Sequence, residues 1–189
     1  MGSALRAARE RLEIAAHNLA NAATDGYRKT VADVGLTEHG LAVERRPSSE
    51  QGAVRTTGRR FDLALLGEGT FRVGAGLTRG GAFSRDRDGL LVDDRGRALH
   101  SARGVLRVSP DATIDADGKV RDRGRIVDRI PLPAGTHILS GALETSTVDA
   151  VGETLAILTA QRAFETAQKT LVAIDAAREK AVNDVVRLK

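Results

Sequence analysis

The stretch ILTAQRAFETAQKTLVAIDAAREKAVNDVVRL, residues 157–188, decides how the chain is built. Its apolar side chains recur at Ile157, Ala160, Phe164, Ala167, Leu171, Ile174, Ala181, Val185 and Leu188, and only Arg178 is out of pattern. Alternating steps of three and four residues keep one stripe of a helix facing a partner helix. The same spacing returns at the other end, at Leu5, Ala8, Leu12, Ala15, Leu19 and Ala22. The expected fold class is therefore α+β: long N- and C-terminal helices pairing as a coiled coil, with a small mainly antiparallel β-domain between them. A helix running to the C-terminal end from near Thr147 or Val148 is roughly 60 Å long at about 1.5 Å per residue, more than a small β-domain can cover. An uncovered seam of that length is exposed apolar surface, so it calls for the other helix or another subunit.

Working outward, residues 1–30 read as an N-terminal helix and turn, with Ser3 as N-cap and Gly26 in a left-handed position after Asn21, Thr24 and Asp25. Residues 31–51 read as an extended connector with turns at Gly35 and Gly40. Residues 52–140 form the β-domain. The window 52–141 holds 15 of the 20 glycines, and turn signals recur every eight to twelve residues. Asp88-Gly89 and Asp117-Gly118 are the strongest hairpin signals, with Arg95-Gly96 and Arg103-Gly104 behind them. Residues 141–189 carry the linker and the long C-terminal helix.

The composition excludes several classes of function. There is no cysteine, which removes disulfides and thiolate metal sites. No apolar run reaches the length of a membrane span, so the chain is not expected to be membrane-spanning. The N-terminal residues Arg6, Arg9, Glu10, Arg11 and Glu13 break up any apolar stretch, so a cleavable secretory signal is not expected. A pI near 9.9 suggests nucleic acid, but residues 1–60 hold 10 Lys+Arg against 7 Asp+Glu, residues 61–140 hold 13 against 11, and residues 141–189 hold 6 against 7. Phosphate backbones need clustered cations, and here acids are interleaved throughout, so no nucleic-acid partner is expected.

Sites of chemistry fare no better. Asp86-Arg87-Asp88-Gly89 and Asp115-Ala116-Asp117-Gly118 look like calcium loops, but Lys119 and Ile126 stand where oxygen ligands belong, so hairpin turns are expected instead. The glycines of residues 74–80 lack the Lys-Ser/Thr of a phosphate loop and open no helix. His17, His39, His100 and His137 have no ligand spacing. Neither a catalytic constellation nor a cofactor or metal site is expected.

Four segments together resemble the axial proteins of the bacterial flagellum, the rod and hook proteins of the basal body. Asn18-Leu19-Ala20-Asn21-Ala22-Ala23-Thr24-Asp25-Gly26-Tyr27-Arg28 looks like the family's N-L-A-N-x-x-T-x-G-Y signature, which ends in Lys or Arg. Gln51-Gly52, Thr57-Gly58 and Phe61-Asp62-Leu63-Ala64-Leu65-Leu66-Gly67-Glu68-Gly69-Thr70-Phe71-Arg72-Val73 form the second segment. Leu77-Thr78-Arg79-Gly80-Gly81-Ala82-Phe83, with Asp86 and Gly89-Leu90-Leu91-Val92, forms the third. Gly141-Ala142-Leu143-Glu144-Thr145-Ser146-Thr147-Val148-Asp149 and Gln161-Arg162-Ala163-Phe164-Glu165 form the fourth. Leu77, Thr70 and Thr147 replace the usual tyrosine, phenylalanine and asparagine, and the chain between the third and fourth segments is short.

The resemblance implies a structural subunit of the basal-body rod that assembles helically and transmits torque. It would leave the cell through the flagellar export apparatus and have other rod or hook subunits as partners, with basal-body ring proteins as further candidates. A hook protein has a larger outer domain, which favours the rod. The implied assembly residues are Leu5, Leu12, Asn18, Leu19, Asn21, Thr24, Gly26, Tyr27, Gln161, Arg162, Phe164, Glu165, Leu171 and Ile174. Asn18 to Tyr27 would shape the turn leaving the first helix. Arg162 and Glu165, three apart, would form either an intrahelical ion pair or a contact between subunits. A β-domain that binds a ring or cell-wall partner, with helices that merely dimerise, is the alternative from a different class.

Overall fold

Alanine and leucine at helical spacing make α1 (Gly2–Ala20), and the long seam makes α2 (Ala150–Arg187), a helix of 38 residues or about 57 Å. The computed structural model describes residues 2–38 and 40–187, with side chains through residue 180. His39, Leu188 and the side chains of Ala181 and Val185 lie outside the described residues. Ser3, expected as the N-cap of α1, is already helical. The cap of α2 is Asp149, whose Oδ1 accepts the Val151 N–H at 3.1 Å. The chain forms two units, 1–20 with 29–48 and 148–189, and 21–28 with 49–147. Its class is α+β, two helices with small antiparallel sheets.

In the first unit α1 packs against α2 and against a hairpin of β1 (Thr30–Thr37) and β2 (Gly40–Pro47). The extended connector is thus a long hairpin. Gly35 sits inside β1 opposite Ala42 rather than in a turn, and the chain reverses between Thr37 and Gly40. Two neighbours require a wide apolar face, and α1 has one: Ala7 and Ile14 are buried beside the seam residues Ala8 and Ala15. On α2, Ala160 is buried, and Ile157, Phe164, Ala167 and Ile174 are half-buried while the positions between them are exposed. The stripe on which the side chains of α2 are least exposed is therefore the seam read from the sequence.

The second unit is built from short antiparallel pairs. These are β3 (Val54–Thr56) with β15 (Ala142–Glu144), β4 (Leu63–Leu66) with β14 (His137–Ser140), β5 (Phe71–Val73) with β6 (Gly76–Thr78), β7 (Ser84–Arg85) with β8 (Leu91–Val92), and β9 (His100–Ser101) with β10 (Gly104–Val105). A three-stranded sheet, β11 (Thr113–Ile114), β12 (Lys119–Asp122) and β13 (Arg125–Arg129), completes it. Inward residues of these strands form one core around Phe71 and Phe83, whose rings meet edge to face at 5.3 Å and 87°.

One local device makes three of the turns. Asp86, Asp93 and Asp115 each accept, through Oδ1, the backbone N–H groups two and four residues on, at 2.7–3.1 Å. A glycine three residues after each aspartate takes a positive φ, at Gly89, Gly96 and Gly118. The calcium-like carboxylates thus serve as turn acceptors. Burial opposes ionisation of Asp93, but the Arg97 N–H and guanidinium and the Arg95 N–H outweigh it and hold its carboxyl below the ordinary value. The Lys119 ammonium, 3.0 Å away, lowers Asp117 in the same way.

Candidate functional site

Asn18 is a buried polar residue on an otherwise apolar helix face. Its Nδ2 donates to Thr30 O at 2.9 Å and its Oδ1 accepts Thr30 N–H at 2.8 Å, so the side-chain amide pairs with the first residue of β1 as a neighbouring strand would. Asn18, expected to shape the turn after α1, joins the β1–β2 hairpin to α1 within the first unit. Asn21 does shape that turn. Its carbonyl accepts Thr24 N–H at 3.0 Å, its Oδ1 accepts the Thr24 hydroxyl at 3.2 Å, and Thr24 O then accepts Tyr27 N–H at 3.1 Å.

In the second unit Gly26 has φ +71°, and its N–H donates to Glu144 O at 2.7 Å. A Cβ placed there would lie 2.4 Å from Arg79 C and Gly80 N, so only glycine allows this approach. Arg79 and Glu144, 65 residues apart, are the centre toward which Gly26 points. Their side chains are 4% and 0% exposed. Arg79 Nε and Nη2 donate to Glu144 Oε2 at 2.8 and 2.6 Å. The remaining guanidinium donors reach Gly67 O, Gly69 O and Leu65 O at 2.8–3.1 Å, so all five N–H groups have partners.

The carboxylate is engaged on its other side as well. Glu144 Oε1 accepts Gly52 N–H at 3.0 Å, and Gly52 approaches Thr145 O so closely that a Cβ would sit 2.0 Å away. Gln51 completes the network, donating to Leu65 O at 3.0 Å and accepting Gly67 N–H at 3.1 Å. Each family-like segment of the sequence thus supplies a residue to one network centred on the buried Arg79–Glu144 pair: Gly26, Gln51 with Gly52, Arg79, and Glu144. The expected assembly residues do not include Arg79 or Glu144. The available signal was a lone arginine just ahead of Gly80-Gly81 and a lone glutamate after Ala142-Leu143, each inside a recognised motif.

On α2 the picture is the reverse. Among the described residues Gln161, Arg162 and Glu165 have no side-chain partner, and the intrahelical Arg162–Glu165 pair is not formed. Leu5, Leu12, Leu19, Phe164 and Ile174 are half-buried, and Leu171 remains 40% exposed. Val151, Leu155 and Leu158, at 70%, 59% and 49% exposure, form an apolar stripe beside the seam.

The chain thus combines a unit built from its terminal helices with a small β-unit formed by the intervening residues. Residues 1–28 match the family "Flagella basal body rod protein", and residues 139–184 match "Flagellar basal body rod FlgEFG protein C-terminal". The chain is 28% identical to flagellar basal-body rod protein FlgG of Bacillus subtilis, covering 92% of each chain. It is 29% identical to flagellar basal-body rod protein FlgF of Mesorhizobium japonicum, covering 86% of each. Flagellar hook protein FlgE of Brucella abortus is 36% identical, but over 53% of this chain and 29% of its own length. Both family models and these relatives support a flagellar basal-body rod protein. The chain is a structural rod subunit of the basal body, and the family is structural rather than enzymatic. The FlgG comparison runs over 244 positions against 189 residues here, so that relative carries at least 55 positions with no counterpart.

Proposed function

We propose that this rod subunit builds an open helical tube in which α1 and α2 pair as a coiled coil, and that torque passes along the tube. The observation that carries this is the mismatch between the helices. At 19 residues α1 reaches about half the length of α2. Val151, Leu155 and Leu158 remain exposed, and Gln161, Arg162 and Glu165 are unpaired among the described residues. Apolar residues flanked by uncommitted charges have the composition of a protein interface. Helical assembly needs heterologous contacts, one face of a subunit against a different face of the next, and this strip supplies one such face. Val34, Leu36 and Leu41, exposed on the β1–β2 hairpin, supply another candidate face.

Deleting the gene tests this directly: basal bodies should be truncated and cells non-motile. Intact basal bodies with normal swimming refute it. Basal-body ring proteins are the further partner we propose, on the strength of an open cleft of about 660 Å3 in the β-unit, flanked by Arg72, Leu77, His100 and Leu132. Crosslinking from Leu77 in purified basal bodies should recover a ring protein, and recovery of rod subunits alone refutes that partner.

A further inference from the structure

The chain passes between its two units four times: after Ala20, after Arg28, after Ser48 and after Thr147. On the side of the β-unit, every crossing leads into one of three segments: 21–28, 49–53 or 144–147. These are the segments that converge on Glu144. Its carbonyl holds Gly26 N–H, its Oε1 holds Gly52 N–H, and its Oε2 holds Arg79. Two more bonds join the segments directly: Thr145 N–H to Ala53 O at 2.8 Å, and Thr147 N–H to Tyr27 O at 3.0 Å.

We propose that the Arg79–Glu144 pair is a mechanical clamp, a pair of positioning residues that fuses the covalent connectors into one element so that load on them reaches the β-unit as a whole. The proposal rests on the rod reading, in which load runs along the chain. The physical case begins with what a buried ion pair does well. Against well-packed apolar side chains it adds little net stability, yet separating its partners strands a charge in a water-free interior. Apolar contact is non-directional and allows neighbouring segments to slide. Five directed N–H bonds from one guanidinium, two of them to one carboxylate oxygen, permit a single register. The network also reaches β4 through Leu65 O and the β4–β5 loop through Gly67 O and Gly69 O, which anchors the connectors to a strand of the core.

The test compares the full chain with its Arg79→Lys and Glu144→Gln variants by hydrogen exchange. Lysine keeps the charge but has neither the fork nor five donors. Glutamine keeps the shape of Glu144 and removes its charge, which covers the case in which one variant fails to fold. We expect the amides of Gly26, Gly52 and Thr147 to exchange together at least about tenfold faster, while the core amides of Leu91 and Leu99 keep their protection. No change at the three connector amides, or an equal rise throughout the β-unit, overturns the clamp.

The second arm places Arg79→Lys in the native strain. We expect normal numbers of basal bodies and near-normal swimming in dilute medium, with a disproportionate loss of speed in viscous medium. An unchanged viscous-to-dilute ratio overturns the load-bearing role. Failure of the rod reading is seen separately, as intact flagella after gene deletion, and leaves the exchange result standing.

Discussion

Replacing Gly26 with alanine should destabilise the β-unit by about 3 kcal/mol, and three contributions build that figure. An alanine held at φ +71° costs about 1 kcal/mol relative to glycine. The added Cβ would meet Arg79 C and Gly80 N at 2.4 Å, where ordinary contact is 3.4–4 Å, so two backbones must part by about an ångström. That movement removes the Gly26 N–H bond to Glu144 O, worth about 1 kcal/mol, and strains the carboxylate beside it. The control is Gly58→Ala: φ is +73° but nothing lies within 4 Å, so only the backbone term of about 1 kcal/mol applies. Tyr27 is the one tyrosine and there is no tryptophan, so tyrosine fluorescence during denaturant unfolding reports from the residue next to the change. With about 2–4 °C of Tm per kcal/mol for a chain of this size, Gly26→Ala should melt roughly 9 °C lower and Gly58→Ala roughly 3 °C lower. Equal losses from the two substitutions would refute the close-approach reasoning, because they would leave φ as the whole cost.

Asn18→Ala should cost about 2–3 kcal/mol in the first unit, since it strands both backbone groups of Thr30, and exchange at β1 should rise; unchanged protection of Thr30 contradicts the pinning role. The Asp93 carboxyl has a lowered folded pKa, so its ionised form stabilises the protein above the unfolded value of 3.8. That stabilisation is lost as pH falls through the lower folded value, and Asp93→Asn should flatten this limb of an acid-unfolding curve. Leu155→Arg, at a side chain 59% exposed, should leave the monomer within about 0.5 kcal/mol of the parent. It should nevertheless abolish incorporation into basal bodies, and normal incorporation refutes the proposed contact strip.

Much of the fold is legible because its causes are local. The seam on α2 is a periodicity, and a helix turns periodicity into a face without help from distant residues. The turns at Asp86, Asp93 and Asp115 are written within five residues each, the aspartate supplying acceptors and the glycine a positive φ. The place of Gly35 is not legible in the sequence, because a glycine in a strand and a glycine in a turn look alike until the partner strand is known. The Asn18 pairing with Thr30 is not legible in the sequence, since its partner lies 12 residues on, across a turn that the sequence does not specify.

The sequence by itself determined the two amphipathic helices, the glycine-punctuated β-region and the family-like motifs, all properties of short windows. Only the tertiary structure decided that those motifs are one object. Arg79 and Glu144 are each unremarkable alone, and a buried ion pair forms only where folding excludes water from both partners at once and supplies carbonyls for every remaining donor. That condition depends on segments from residue 26 to residue 144 arriving together, and no local pattern carries it.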